Sequence, residues 1–189
     1  MTKVPEFFGR SEANPAAPPD VQELMDKTAA KSGFLPNVFS ALSHRPDEFR
    51  SFFNYHDALM NSESLLTKAD KEMIVVATSA INDCLYCVVA HGAILRIRAK
   101  DATISERVAT DYKRAGLTER QVAILDFASK VASRANEVEE TDFAPLYDVG
   151  LGDNEIWEIG AITAFFAMSN RLAGFAKILP NSEFYSLGR

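Results

Sequence analysis

The sequence is poor in cysteine, in histidine and in positive charge, and each shortage narrows what the chain can be. Its 189 residues include two cysteines, Cys84 and Cys87, and three histidines, His44, His56 and His91. So few cysteines exclude the disulfide framework of a small secreted domain; a lone CxxC in a reducing compartment is more often redox-active or metal-binding. Lys and Arg total 20 against 26 Asp and Glu, a net charge of −6. Nucleic acids and anionic membrane surfaces are polyanions, so neither is expected as a main partner. Long apolar runs are also lacking. The oiliest stretch, Ile156 to Phe166, is interrupted by Glu158 and falls short of the roughly 18 residues a membrane span needs. The opening residues MTKVPEFFGRSEANP hold no apolar signal core, so the expected compartment is the cytoplasm.

What is present is an ordinary globular composition, 47% hydrophobic and 24% charged. Residues 1–19 carry four of the eight prolines (Pro5, Pro15, Pro18, Pro19) and no period, which predicts an extended arm with Phe7 and Phe8 packing on a neighbour. Residues 20–189 read as a single domain. Asp20 with Glu23 three residues on has the form of a capping box, and Gly33 ends the helix that follows. Pro46-Asp47 opens a helix whose Phe49, Phe52, Phe53, His56, Leu59 and Met60 share a face. Thr67 with Asp70 caps an apolar helix that Asn82-Asp83 breaks, and Asp83 stands where it could cap the next, from Cys84 to about Arg98. A helix near Ile104 to Arg114 ends at Gly116; Thr118 with Gln121 caps another, from Glu119 to Arg134. Thr141 starts a short helix closed by Gly150, and Asp153 opens a long one to about Phe175, with Pro180 beyond it. No segment sustains the alternation of a strand, so the expected class is all-α, with short connections that favour antiparallel neighbours.

The chemistry concentrates in Glu72-x11-Cys84-x2-Cys87-x3-His91. Cys84 and Cys87 lie one helical turn apart, so their sulfurs can share a face and close a disulfide after modest adjustment. At the first turn of a helix, free backbone N–H groups and the helix dipole favour a thiolate. His91 follows one turn beyond Cys87 on the same face, within reach as a general base. On one straight helix Glu72 would lie about 22 Å from Cys87 at ~1.5 Å per residue. It joins the group only if the chain reverses at Asn82-Asp83. An antiparallel hairpin there would bring its carboxylate level with His91, to orient the imidazole.

The same residues leave other readings open. Both cysteines could be buried and inert, as free cysteines often are. Cys84, Cys87, His91 and Glu72 could together bind zinc, although structural zinc usually draws on a second Cys/His pair that this chain lacks. Haem attachment needs His directly after the second cysteine, where Val88 stands. Packing accounts for His56 and Tyr86, a loop for His44, a structural or interface role for Asn170 and Arg171, and core or subunit contact for Trp157 and Phe165-Phe166.

The four-residue spacing resembles the active-site motif of the AhpD-like alkylhydroperoxidases of the carboxymuconolactone decarboxylase family. Two further stretches resemble its peroxidase-related branch: Tyr112-Lys-Arg-Ala-Gly-Leu-Thr-Glu-Arg-Gln leading into Leu125-Asp-Phe-Ala, and Gly152-Asp-Asn-Glu-Ile leading into Phe165-Phe-Ala-Met-Ser-Asn-Arg171. The resemblance implies an all-helical AhpD-like bundle with the CxxC at the start of a central helix, obligate homo-oligomers, and hydroperoxide reduction without cofactor or metal. It implies Cys87 as the peroxidatic thiolate and Cys84 as the resolving thiol, with Glu72 and His91 as a proton relay. A dithiol reductant, thioredoxin-like or dihydrolipoyl, would reopen the disulfide. Members of the family can carry a histidine just before the second cysteine; here that position is Tyr86. The related decarboxylases have no evident need of a CxxC. Two alternatives stand beside the peroxidase: a dithiol/disulfide oxidoreductase or redox sensor, and a non-enzymatic oligomeric binding protein on the same fold.

Overall fold

The computed structural model describes residues 17–189, so the part of the expected arm that precedes them, Phe7 and Phe8 included, lies outside the described residues. Within them the chain forms α1 (Pro19–Ser32), α2 (Asn37–Leu42), α3 (Pro46–Met60), α4 (Lys68–Ile81), α5 (Leu85–Ala99), α6 (Ile104–Asp111), α7 (Glu119–Arg134), α8 (Ala144–Asp148) and α9 (Asp153–Phe175). Short 3-10 turns join or follow them, and there is no strand among the described residues. The class is all-α, and none of these helices is long and apolar enough to cross a membrane.

The capping chemistry sets several boundaries. Thr67 and Thr118 each accept a hydrogen bond from the backbone N–H three residues on, while Asp70 and Gln121 reach back to the N–H of the capping threonine. Gly33, Gly116 and Gly150 close their elements at φ 81°, 71° and 79°, in the left-handed region that glycine enters without steric cost. The N-terminus of α1 differs from expectation. Pro18 is the cap and Pro19 the first helical residue, where its missing N–H would have no partner anyway. Asp20 lies inside the first turn and pairs with Arg50 of α3 at 2.6 Å.

α4 is the wall around which the rest is built. Every residue from Asp70 to Ser79 is buried, and α5, α6, α7 and α9 all pack on this helix. Ile74, Val75 and Val76 have no exposed surface; burying side chains of that size contributes about 1.5–3 kcal/mol each. α9 supplies the facing layer with Ile156, Ile159, Ile162, Phe165 and Phe166. A second, smaller cluster gathers Cys84, Tyr86, Cys87, Ala90 and Ala93 against Ala173, Ile178 and Phe184. α3 lays Phe49 and Phe53 on α2 and reaches α9 through Phe52, whose ring centroid is 4.9 Å from that of Phe165.

The loop between α3 and α4 is held by a buried cation. Lys71 Nζ, 1% exposed at its side chain, donates to the carbonyls of Leu59 (3.0 Å) and Ser62 (2.8 Å), to Ser62 Oγ (2.7 Å) and to Glu158 of α9 (2.6 Å). A charge taken out of water in this way is tolerated because its donors are satisfied and its partner is ionised.

Candidate functional site

The site is made by a reversal of the chain. α4 ends at Ile81, and Asp83 adopts φ 53°, a left-handed conformation that Asp and Asn tolerate better than most residues. The Cys84 N–H then reaches back to the Ser79 carbonyl at 2.9 Å. α5 therefore runs back along α4, as the reversal at Asn82-Asp83 requires. Contrary to the expectation from its position in the sequence, Asp83 does not cap α5. Cys84 is the cap, and its sulfur accepts the Cys87 backbone N–H at 3.4 Å. With Asp83 turned into the left-handed region, the next residue is the one placed at the helix mouth.

Across the hairpin, Glu72 Oε2 and His91 Nδ1 meet at 2.9 Å. Their side chains are 10% and 14% exposed, so the pair is shielded from water without being sealed. With Nδ1 committed to the carboxylate, Nε2 is the ring nitrogen left for proton work. The ring packs edge-on to Phe166, with centroids 4.7 Å apart, which fixes its plane.

Both cysteines are free thiols and nearly inaccessible, 4% exposed for Cys84 and 2% for Cys87. The Cys87 thiol donates to Cys84, and this holds Cys84 down at about 7 against the opposing effect of burial. The backbone N–H groups of Cys87 and Tyr86 at the helix mouth and the Asn170 side chain act in the same direction. Cys87 is pushed up, because its proton is committed to Cys84, because it is buried, and because a second negative charge would sit beside the first. Titration is thus a property of the pair: one proton leaves near neutrality and the second is retained.

Other residues complete the surroundings. The Tyr86 hydroxyl accepts the Val38 N–H at 3.3 Å and its ring lies edge-on to Phe184, so this side chain ties α2 to α5. Burial pushes its phenol up. His56 of α3, read from sequence as packing, lies edge-on to Phe53 and Phe166 and tilted to Phe165, and its ring centroid lies 6.3 Å from that of His91. Asn170 and Ser169 of α9 are buried, and the Asn170 side chain hydrogen-bonds Ser79 Oγ at 3.0 Å and Asn82 at 3.1 Å, beside the turn that leads into Cys84. The polar break they make in an apolar helix was the only mark of them in the sequence. Cys84 lines a shallow groove of about 410 Å³ with Leu85, Lys177 and Leu179. A larger groove, about 770 Å³, runs between α7 and α8 along Phe127, Lys130 and Asp142 and contains no member of the cysteine cluster. Among the described residues no group of three or more His, Cys, Asp and Glu is arranged to hold a metal ion.

The model of the carboxymuconolactone decarboxylase family matches residues 46–111, a span that holds Glu72, Cys84, Cys87 and His91 together. Among solved structures, a peroxidase-related protein of Ralstonia eutropha, described as an alkylhydroperoxidase AhpD core, is 51% identical; the match covers 100% of this chain and 95% of that one, with a TM-score of 0.90. A peroxidase-related protein from a Silicibacter species is 36% identical over 100% of both chains, with a TM-score of 0.92. The debrominase Bmp8, solved with a tribromopyrrole, shares the fold at 17% identity, covering 94% of this chain and 91% of its own, with a TM-score of 0.75. No curated protein matches the chain.

Proposed function

The chain belongs to the carboxymuconolactone decarboxylase family, on its AhpD-like, peroxidase-related side, and from that membership we propose that it is a thiol peroxidase reducing organic hydroperoxides through Cys84 and Cys87. The observation that carries the reading is the 2.9 Å contact of Glu72 with His91, formed across the hairpin that also carries Cys84 and Cys87. The pair stands on the same α4–α5 hairpin as the two cysteines, which supports reading Glu72 as the group that orients His91 as base for a thiol nucleophile.

In the resting pair the charge sits on Cys84 and the proton on Cys87. Passing that proton from Cys87 to Cys84 moves the charge to Cys87 with no change in the pair's total. The Cys87 thiolate attacks one peroxide oxygen and the O–O bond breaks. Sulfur loses two electrons and becomes a sulfenic acid, and the departing alkoxide takes a proton from His91, whose charged form Glu72 stabilises. Cys84 gives its proton to the now neutral His91 and attacks the Cys87 sulfur. Hydroxide leaves, recovers that proton as water, and the disulfide closes. A dithiol reductant reopens the bond by two exchange steps and is itself left as a disulfide.

The reading is tested by following consumption of cumene hydroperoxide with dithiothreitol as reductant. The protein should consume it catalytically, and Cys84→Ser and Cys87→Ser should each stop turnover. Consumption no faster than that of free cysteine, or turnover that survives Cys87→Ser, would overturn it. One observation favours a second reading, a dithiol/disulfide oxidoreductase: Cys84 is the thiol held near neutrality and the one that lines an open groove. Fast exchange with a disulfide substrate beside slow peroxide reduction would select it.

The outer face of α9 bears on assembly. Trp157, 78% exposed, and Met168 lie on one stripe of the helix with Ala161 and Ala164 between them. Large apolar groups flanking small ones suit close helix-to-helix contact, and this supports the homo-oligomer the family resemblance implies.

A further inference from the structure

The proposed cycle leaves His91 one proton short. The charged imidazole protonates the departing alkoxide, then takes the Cys84 proton and passes it to the departing hydroxide. When the disulfide closes, His91 is neutral. The reductant gives up two protons as it reopens the bond; one stays on the cysteine pair, and the other must reach His91 before the next peroxide. That ring is 14% exposed, tied through Nδ1 to Glu72 and set edge-on against Phe166. A shielded base of this kind needs a carrier at the edge of the site.

His56 stands where the carrier is needed. Its ring lies 6.3 Å from that of His91, centroid to centroid, and both rings lie against Phe166. One water between imidazoles so spaced is enough to pass a proton. The two histidines are held alike: His91 Nδ1 meets Glu72 at 2.9 Å, and His56 Nδ1 meets Asp57 at 3.0 Å. A carboxylate on Nδ1 leaves Nε2 as the working atom of each ring. They differ in their contact with water. The side chains of His56 and Asp57 are 27% and 64% exposed, against 14% and 10% for His91 and Glu72. Exposure therefore rises step by step from Glu72 through His91 and His56 to Asp57. The hydrogen bond from His56 holds the Asp57 carboxyl below its usual range, and Lys31 of α1 acts in the same direction. The other neighbours of the His56 ring are Phe53, Phe165 and Phe166. A phenylalanine would fill that space without a carboxylate beside it.

We propose that His56 is the outer station of the proton relay: held by Asp57, it carries a proton between water and His91 and so recharges the inner imidazole after each oxidation. It acts through His91, not on the sulfurs or the peroxide. The inference rests on the peroxidase reading for the proton demand, but the path between the rings belongs to the resting protein and is measured without peroxide.

The test is the rate at which the His91 ring protons exchange with water, followed by NMR on the reduced full chain carrying 15N-histidine, in dilute buffer. With three histidines in the chain, single substitutions assign the signals. His56→Phe suits a wall of phenylalanines but carries no proton, and should slow exchange by about tenfold or more. Added imidazole, a diffusible carrier, should relieve the slowing. A packing role predicts the opposite: exchange that is unchanged, or faster where the wall loosens. Asp57→Asn, at an exposed position where folding is not at risk, removes the charge behind His56 and should slow exchange in the same direction. His44, whose Nδ1 meets the Ala41 carbonyl at 2.8 Å, belongs to neither pair, and His44→Gln should exchange at the parent rate. Exchange within about twofold of the parent in both His56→Phe and Asp57→Asn overturns the proposal. Equal slowing in His44→Gln, or slowing that imidazole does not relieve, also overturns it. Consumption of cumene hydroperoxide is followed beside it. Slowed exchange in a protein that consumes no hydroperoxide keeps the path and rejects the peroxidase; turnover with unslowed exchange rejects the path alone.

Discussion

Replacing Glu72 by glutamine isolates the proton relay from the sulfurs. The substitution keeps the size of the side chain and one hydrogen-bonding oxygen, and it removes the charge that faces His91 at 2.9 Å. In the proposed cycle His91 holds a proton when the O–O bond breaks. What is lost is the charge-assisted part of one hydrogen bond, in a place where both side chains are mostly shielded. Hydrogen bonds to charged groups are worth about 1.5–3 kcal/mol, so oxidation should slow by about 10- to 150-fold. The assay is single-turnover stopped flow, mixing reduced protein with excess cumene hydroperoxide and following disulfide formation. Thiol alkylation by iodoacetamide should be nearly unaffected, since Glu72 acts through His91. Oxidation within about twofold of the parent would refute the relay, and an equal loss in alkylation would mean that the substitution had disturbed the dithiol instead.

Alkylation of the reduced protein should rise with pH around a midpoint near 7, because Cys84 is held at about 7 and its thiolate gains population as pH increases through that value; a midpoint near that of a free cysteine, about 8.5, would contradict this. Lys71→Met leaves the Glu158 carboxylate buried opposite a thioether and should cost about 3 kcal/mol or more, read as a drop of about 10 °C in Tm. A charge placed in the stripe on α9, as Trp157→Glu or Met168→Glu, should shift the protein to a smaller species in sedimentation velocity while leaving its far-UV circular dichroism unchanged.

Much of the fold was legible because it is written in local chemistry. The boxes at Thr67 and Thr118 fixed two helix starts, and Asp153 and Phe175 bound α9 as expected. Asp20 misled because a proline preceding it provides an equally good helix start. Asp83 misled because the same short side chain that suits a cap also tolerates the left-handed turn the chain needed there. α2 was not foreseen: at Asn37–Leu42 it is too short to show a period, and its entry is set by Asn181, whose side chain accepts the Asn37 N–H from across the molecule. The helix near Ile104 was expected to run to Arg114, but its last turn tightens to a 3-10 form after Asp111.

The site divides along the same line. Cys84, Cys87 and His91 belong to one helical turn after another, so their spacing announced them. Glu72 could be joined to them only by supposing a reversal, which the hairpin provides. Asn170 lies 83 residues beyond Cys87 (170 − 87), and its hydrogen bonds to Ser79 and Asn82 are made by packing of α9 on the α4–α5 hairpin. No local pattern encodes that approach, and a polar residue in an apolar helix reads equally well as an interface. The position of His56 beside His91 was hidden for the same reason.

The most direct test of the central claim is a thiol count on reduced protein before and after one equivalent of an organic hydroperoxide, with Cys84→Ser and Cys87→Ser in parallel. The account predicts rapid loss of both thiols in the parent, a trappable sulfenic acid in Cys84→Ser and no reaction in Cys87→Ser. Thiols in the parent that react no faster than free cysteine, or a sulfenic acid that forms in Cys87→Ser and not in Cys84→Ser, would contradict it.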